Sequence, residues 1–242
     1  MSARPALGVI PARYGATRFP GKPLAPLWGK PLIQHVWERA RRIDAVDELV
    51  IATDDGRIAS AARAFGAEVE MTSPGCATGT DRVAEVARRR SRSAIVVNLQ
   101  GDEPELDPDG VSALILGMRA EPRIRMATLA HEESDPRALA SRDVVKVEVD
   151  AEGFALYFTR DAASPRAGGT LLRHVGVYGF VREFLLEFAA WTPSEAERRE
   201  RLEQLRALER GIAVRVFATS GGGFGVDTPE QLAELERRGP RG

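Results

Sequence analysis

The chain has 242 residues, enough for one large α/β domain or for a domain with a smaller appendage. Hydrophobic residues make up 43% and charged residues 29%, and 34 Lys plus Arg against 35 Asp plus Glu leave a net charge of −1. That balance speaks against nucleic acid or an anionic membrane as the main partner and confines any anion recognition to local patches.

Residues 7–10 read as a short buried strand, and residues 11–24, PARYGATRFPGKPL, follow as a loop. Residues 32–42 read as a helix, with Pro31 placed for its first turn. Residues 48–53 (ELVIAT) form a second strand, which Asp54-Asp55-Gly56 turns into a helix over 57–65. A short strand over 68–71 precedes a helix over 80–90, with Thr78 or Thr80 as its cap. Residues 94–99 (AIVVNL) are the most apolar strand to that point. A loop over 100–107 then leads to Pro108 and another helix. This alternation predicts a Rossmann-like α/β fold, a mostly parallel sheet with helices on both faces. Ligands in such sheets lie beyond the carboxyl ends of the strands.

Beyond Met126 the pattern changes. Strands over 144–149, 155–159 and 175–181 with short connections predict a small antiparallel extension near 144–182, within a single domain over 1–242. Helices over 182–190 and 194–209, a strand over 213–218 and a terminal helix over 228–237 complete the chain. The run SGGGFG over 220–225 delivers Val226 and Asp227 to whatever lies beside it. The single cysteine, Cys76, excludes an internal disulfide or a cysteine-based zinc cluster and stands in no motif. No stretch approaches the roughly 20 apolar residues that span a bilayer, and the N-terminus has no apolar leader, so a cytoplasmic protein is expected.

The loop after the first strand carries Arg13, Arg18 and Lys22 among glycines. Glycine lets a backbone approach phosphate closely, and the cations supply charge. Phosphate binding and a solvated surface loop are both open on spacing alone. A Walker A loop is not: five residues rather than four separate Gly15 from Gly21, and Pro23 follows Lys22 where a hydroxyl residue is required. GxGxxG is absent as well.

The stretches IPARYGATRFPGKPL, VIATDD, TGTDR, VNLQGDEP, ALYFTR, RHVGVYGF, LEQLR and GVDTPEQL occur in that order between about residues 9 and 232. Together they resemble the sugar-activating nucleotidyltransferases and, more closely, the 3-deoxy-manno-octulosonate cytidylyltransferases. The resemblance implies CMP transfer from CTP to the sugar acid Kdo, with release of diphosphate and formation of CMP-Kdo for lipopolysaccharide synthesis. It also implies a magnesium cofactor and a homodimer, for which the region around 175–180 is the expected surface. It assigns Arg13, Arg18 and Lys22 to the triphosphate, Thr80, Arg82 and Gln100 to the nucleotide, and Asp102 and Asp227 to the metal. Gln100, Arg160, His174, Tyr178, Glu203 and Gln204 fall on sugar-acid positions.

Ordinary structural roles compete at each position. Asp227 or Thr228 could cap the terminal helix, Arg82 could be an exposed arginine, and Glu203 and Gln204 could lie on a solvated helix face. Two features depart from the family pattern. DAASPRAGG over 161–169 is short and lacks an aromatic residue, and Arg198 and Arg199 replace a histidine and an apolar residue. Both bear on which sugar acid is used, and an 8-amino relative of Kdo or a sialate-like acid is the alternative. A sugar-nucleotide-binding protein without catalysis is the rival from another class.

Overall fold

The computed structural model describes residues 4–15, 18–161, 169–221 and 225–240. Strand β1 (Ala6–Ala12) is followed by a short hairpin of β2 (Pro26–Leu27) and β3 (Lys30–Pro31), then by α1 (Leu32–Ala40) and β4 (Glu48–Thr53). Next come α2 (Gly56–Ala64), β5 (Val69–Met71), α3 (Gly79–Arg89), β6 (Ile95–Asn98) and α4 (Pro108–Ala120). The second half comprises β7 (Met126–His131), α5 (Pro136–Ala140), β8 (Lys146–Val149), β9 (Ala155–Thr159) and β10 (Thr170–Val181). It closes with α6 (Arg182–Ala189), α7 (Glu195–Glu200), α8 (Leu205–Leu208), β11 (Val214–Ala218) and α9 (Pro229–Arg238).

The main sheet runs β11-β7-β10-β6-β1-β4-β5. Its strands run in one direction except β10, which is antiparallel to β6 and β7. The expected mostly parallel α/β sheet is therefore present. Alternate residues of β1 face opposite cores. Ala6 and Ile10 pack with α1 and α4, and Leu7 and Val9 pack with α3 and α6. This is the period-two alternation of a strand buried on both faces.

Two sequence expectations need correction. Residues 126–131 form β7, a fully formed strand that the change of pattern at Met126 hides. The expected helix over 194–209 is broken: Ser194 caps α7, but Arg201 adopts a left-handed conformation (φ 56°) and α8 restarts at Leu205. The antiparallel extension expected near 144–182 is present, as β8, β9 and the first part of β10. The first part of β10 pairs with β8 and its last part with β6, so β8 and β9 branch from the same sheet. Residues 175–180, the expected dimer surface, run between β6 and β7, so for most of that stretch the backbone edges are already paired.

Helix caps agree closely with the sequence. Thr78, not Thr80, caps α3 in a reciprocal box with Asp81, and Thr228 caps α9 in a box with Gln231.

Candidate active site

The carboxyl ends of β1 and β6 and the start of α9 meet around a cavity of about 410 Å³. Arg13, Arg18, Lys22, Arg82, Gln100, Asp102, Glu203 and Asp227 all line it. The phosphate-loop candidate is shaped by Gly21, whose φ of +75° favours glycine and whose N–H donates to the Tyr14 carbonyl at 2.8 Å. Lys22 then opens a single 3₁₀ turn, and its side chain points across the cavity. Residues 16 and 17 of this loop lie outside the described residues.

Lys22 Nζ donates to Asp102 Oδ2 at 2.7 Å and to Asp227 Oδ1 at 3.2 Å. Arg18 Nη2 donates to the other Asp227 oxygen at 2.8 Å. The two carboxylates come from segments 125 positions apart, and the backbone joins them: the Val226 N–H donates to the Asp102 carbonyl at 2.9 Å. Because Thr228 performs the capping, the Asp227 carboxylate is released to the cavity. Gly101 lets the Asp102 loop approach β1, since a Cβ there would lie 2.5 Å from the Pro11 carbonyl oxygen.

Two hard oxygen donors thus converge on one cationic position. That donor set fits magnesium, which takes few protein carboxylates and completes its shell with phosphate and water oxygens. Among the described residues no group of three or more His, Cys, Asp or Glu side chains converges as a metal cluster.

Arg82 is not the exposed arginine that a bare cap-and-surface reading would give. It is 2% exposed, donates to the Thr72 hydroxyl and pairs with Asp54 at 3.2 Å. Asp54 follows β4 as Gln100 follows β6, so the rule about carboxyl ends of strands could have singled it out. Thr80 is also buried. Burial raises the Glu203 pKa, and the Thr80 hydroxyl acts on that carboxyl to lower it. Gln100 Nε2 donates to the Gly176 carbonyl at 2.8 Å, tying the cavity floor to β10. Cys76, which no motif marks, lines the cavity. Its thiol donates to Glu85 at 3.2 Å, and burial with that carboxylate pushes its pKa to about 11.

Beside the cavity, the rings of Phe158, His174 and Tyr178 form a row with centroids 5.2 and 5.5 Å apart. An irregularity in the β10–β7 pairing between Val175 and Tyr178 brings His174 and Tyr178 together. Thr128 Oγ1 lies 2.8 Å from His174 Nε2 and donates its proton to the Val177 carbonyl at 2.7 Å, so His174 Nε2–H is the donor. That tautomer leaves Nδ1 as an acceptor. Desolvation, assisted by the charge of Arg160, lowers the His174 pKa to about 3, so the ring is neutral. Burial, with the charges of Glu203 and Glu103, raises the Tyr178 pKa well above 10, so the phenol keeps its proton. Glu103 is itself pushed up to about 8 by burial beside Asp102.

Arg160 Nε donates to the Glu200 carbonyl and Nη1 to the Arg142 carbonyl, each at 3.2 Å. Gln204 is buried, and its Nε2 has no hydrogen-bond partner among the described residues. Neither Glu203 nor Gln204 lies on a solvated helix face. Both fall in the break between α7 and α8, held in part by the buried Glu197–Arg206 pair at 2.7 Å. Of the departing segment 161–169, residues 162–168 lie outside the described residues.

A cytidylyltransferase family model matches residues 7–215. The chain is 53% identical over 242 residues to the 3-deoxy-manno-octulosonate cytidylyltransferase of Anaeromyxobacter sp. strain Fw109-5, covering 96% of this chain and 97% of that one. It is 47% identical to the protein of the same name from Geobacter sulfurreducens, covering 94% and 96%. A solved CMP:2-keto-3-deoxy-manno-octonic acid synthetase, in complex with CTP, superposes with a TM-score of 0.90 at 42% identity, covering 97% of this chain and 98% of that one. A 4-diphosphocytidyl-2C-methyl-D-erythritol synthase from Anaerococcus prevotii, 12% identical with a TM-score of 0.65, shares the fold. With a model match over most of its length and relatives this similar end to end, the chain belongs to the cytidylyltransferase family, among the 3-deoxy-manno-octulosonate cytidylyltransferases.

Proposed function

We propose that the protein transfers CMP from CTP to 3-deoxy-D-manno-octulosonate, releasing diphosphate and forming CMP-Kdo for lipopolysaccharide synthesis. The observation that carries this is the Lys22 ammonium between Asp102 and Asp227, on the wall of a cavity whose rim carries Arg13 and Arg18. The anomeric hydroxyl of the sugar acid attacks the α-phosphate in line, and diphosphate leaves. Positioning and charge stabilisation suffice, without a covalent enzyme intermediate.

Arg13, Arg18 and Lys22 hold the triphosphate and stabilise charge on the departing oxygens. Asp102 and Asp227 would hold magnesium, which when bound neutralises charge on phosphate oxygens. Thr80 and Gln100 meet the nucleotide. Arg82 reaches it from a guanidinium already fixed by Asp54 and Thr72. Arg160 receives the sugar carboxylate, for which a guanidinium is well shaped. His174 accepts a sugar hydroxyl at Nδ1, Tyr178 donates through its phenol, and Glu203, Gln204 and Gln100 complete the contacts. The orphaned amide nitrogen of buried Gln204 supports its part in this reading.

A cytoplasmic homodimer belongs to the same proposal. Among the described residues no helix is long and apolar enough to cross a membrane. The exposed Leu156 on β9, which pairs with β8 alone in the sheet, supports a dimer surface there. The test is diphosphate release from CTP with magnesium and Kdo, beside ATP, GTP, UTP and sialic acid, with the product mass determined. Release confined to CTP plus Kdo with the mass of CMP-Kdo is expected. Release only with another sugar acid overturns the substrate, and binding of CTP without release overturns the enzyme reading.

A further inference from the structure

Lys146, on β8, is among the largest fully buried side chains of the described residues, 0% exposed. A buried ammonium is costly unless each of its protons is used. Here Nζ donates to three backbone carbonyls: Ser141 at 2.8 Å, Val144 at 2.9 Å and Arg160 at 2.8 Å. These contacts touch Arg160 twice. The first is direct, since the Arg160 carbonyl is one of the three acceptors. The second runs through the turn over 141–144, whose ends Lys146 ties down, because the Arg160 guanidinium donates to the carbonyl of Arg142 within that turn. Burial lowers the Lys146 pKa, as expected for a cation held by neutral carbonyls. The neighbouring Val145 carbonyl accepts from the backbone N–H of His174 at 2.9 Å, so the residue beside Lys146 also anchors the strand that carries the imidazole.

We propose that Lys146 is a positioning residue for the sugar acid: it fixes both ends of Arg160, the backbone directly and the guanidinium through the 141–144 turn. An apolar residue at this inward strand position would pack without the cost of burying charge. A role confined to stability would be expressed in folding and would not discriminate between the two substrates. The inference rests on the reading of Arg160 as the carboxylate's partner.

The test measures KM for Kdo and for CTP separately in Lys146→Met, in Lys146→Gln, which keeps two donors on one nitrogen, in Arg160→Ala and in the double variant Lys146→Met/Arg160→Ala. Lys146→Met should raise KM for Kdo by about tenfold or more, the scale of a weakened charge-assisted hydrogen bond. KM for CTP should stay within about twofold. Lys146→Gln should fall between, and Lys146→Met should add nothing once Arg160 is gone, since groups that act through one another are not additive. An unchanged KM for Kdo, a parallel rise in both KM values, or a full effect without Arg160 overturns the proposal. If Lys146→Met fails to fold, Lys146→Gln is judged by the same split. A normal KM for Kdo in Arg160→Ala overturns the reading of Arg160 itself, a result distinct from the failure of Lys146 alone.

Discussion

Replacing Lys22 with methionine keeps most of the side-chain volume and removes the ammonium that joins Asp102 to Asp227. The fold should lose little. The lysine side chain is 13% exposed, but its partners are 29% and 43% exposed, so solvent screens both pairs. Each such pair contributes no more than about 1 kcal/mol, equivalent to about 2–4 °C in Tm for a chain of this size. The chemistry should lose far more. Negative charge accumulates on the bridging and departing oxygens at this wall of the cavity, and removing one preorganised charge-stabilising donor costs about 2.7–4 kcal/mol, or 10²–10³ in kcat. We therefore expect kcat/KM in a diphosphate-release assay at saturating magnesium to fall by about two to three orders of magnitude. Tm should stay within several degrees of the parent. Activity within threefold of the parent would refute the reasoning. So would a loss of activity matched by collapse of the fold, because the cation would then be structural.

Three further outcomes are expected from the geometry. Asp227→Asn keeps the shape of the side chain but removes its charge, so the magnesium concentration for half-maximal rate should rise by about tenfold or more; full activity at low magnesium would exclude it as a metal ligand. His174 is held at about pKa 3, against about 6.5 when unfolded, so between those values the unfolded chain binds a proton that the native protein refuses. Its contribution is whole above about pH 6.5 and is lost as pH falls toward 3, with a slope of up to about 1.4 kcal/mol per unit. Urea unfolding across that range should show a shallower acid limb in His174→Gln, and an identical limb would contradict the assignment. Arg206→Met strands Glu197 as a buried charge and frees the carbonyls of Phe188 and Trp191. Breaking such a pair costs about 3–5 kcal/mol in unfolding free energy, and a change under about 1 kcal/mol would mean that the pair is already solvated.

Much of the cavity lining is legible in the chain, because it is built from strand ends and helix caps. Apolar runs at 7–10, 48–53 and 94–99 announce β1, β4 and β6, and a parallel sheet gathers the loops after these strands at one edge. That reasoning finds Arg13, Lys22, Gln100 and Asp102. Asp227 is ambiguous: D-T-P-E allows either acid or hydroxyl as cap, and only the reciprocal Thr228–Gln231 box shows that the carboxylate is free for Lys22. Strand β7 is hidden because MATLAH carries no strict alternation of apolar and polar residues. The break at Arg201 is hidden because its residues are all good helix formers, while in the fold Leu202 and Leu205, which follow the left-handed turn, are both buried in the core.

The sequence by itself determined the alternating α/β order, the cation-bearing glycine loop and the family, since these depend on local periodicity and on motifs read in order. Tertiary structure decided which of those residues work together. Lys22 meets Asp102 and Asp227 across 80 and 205 positions, Arg82 is buried against Asp54, and Lys146 gathers carbonyls from two segments. Such pairings cost desolvation and are satisfied only when distant strands close on each other. No local pattern encodes them, because the partner that makes a buried charge tolerable is supplied by the fold.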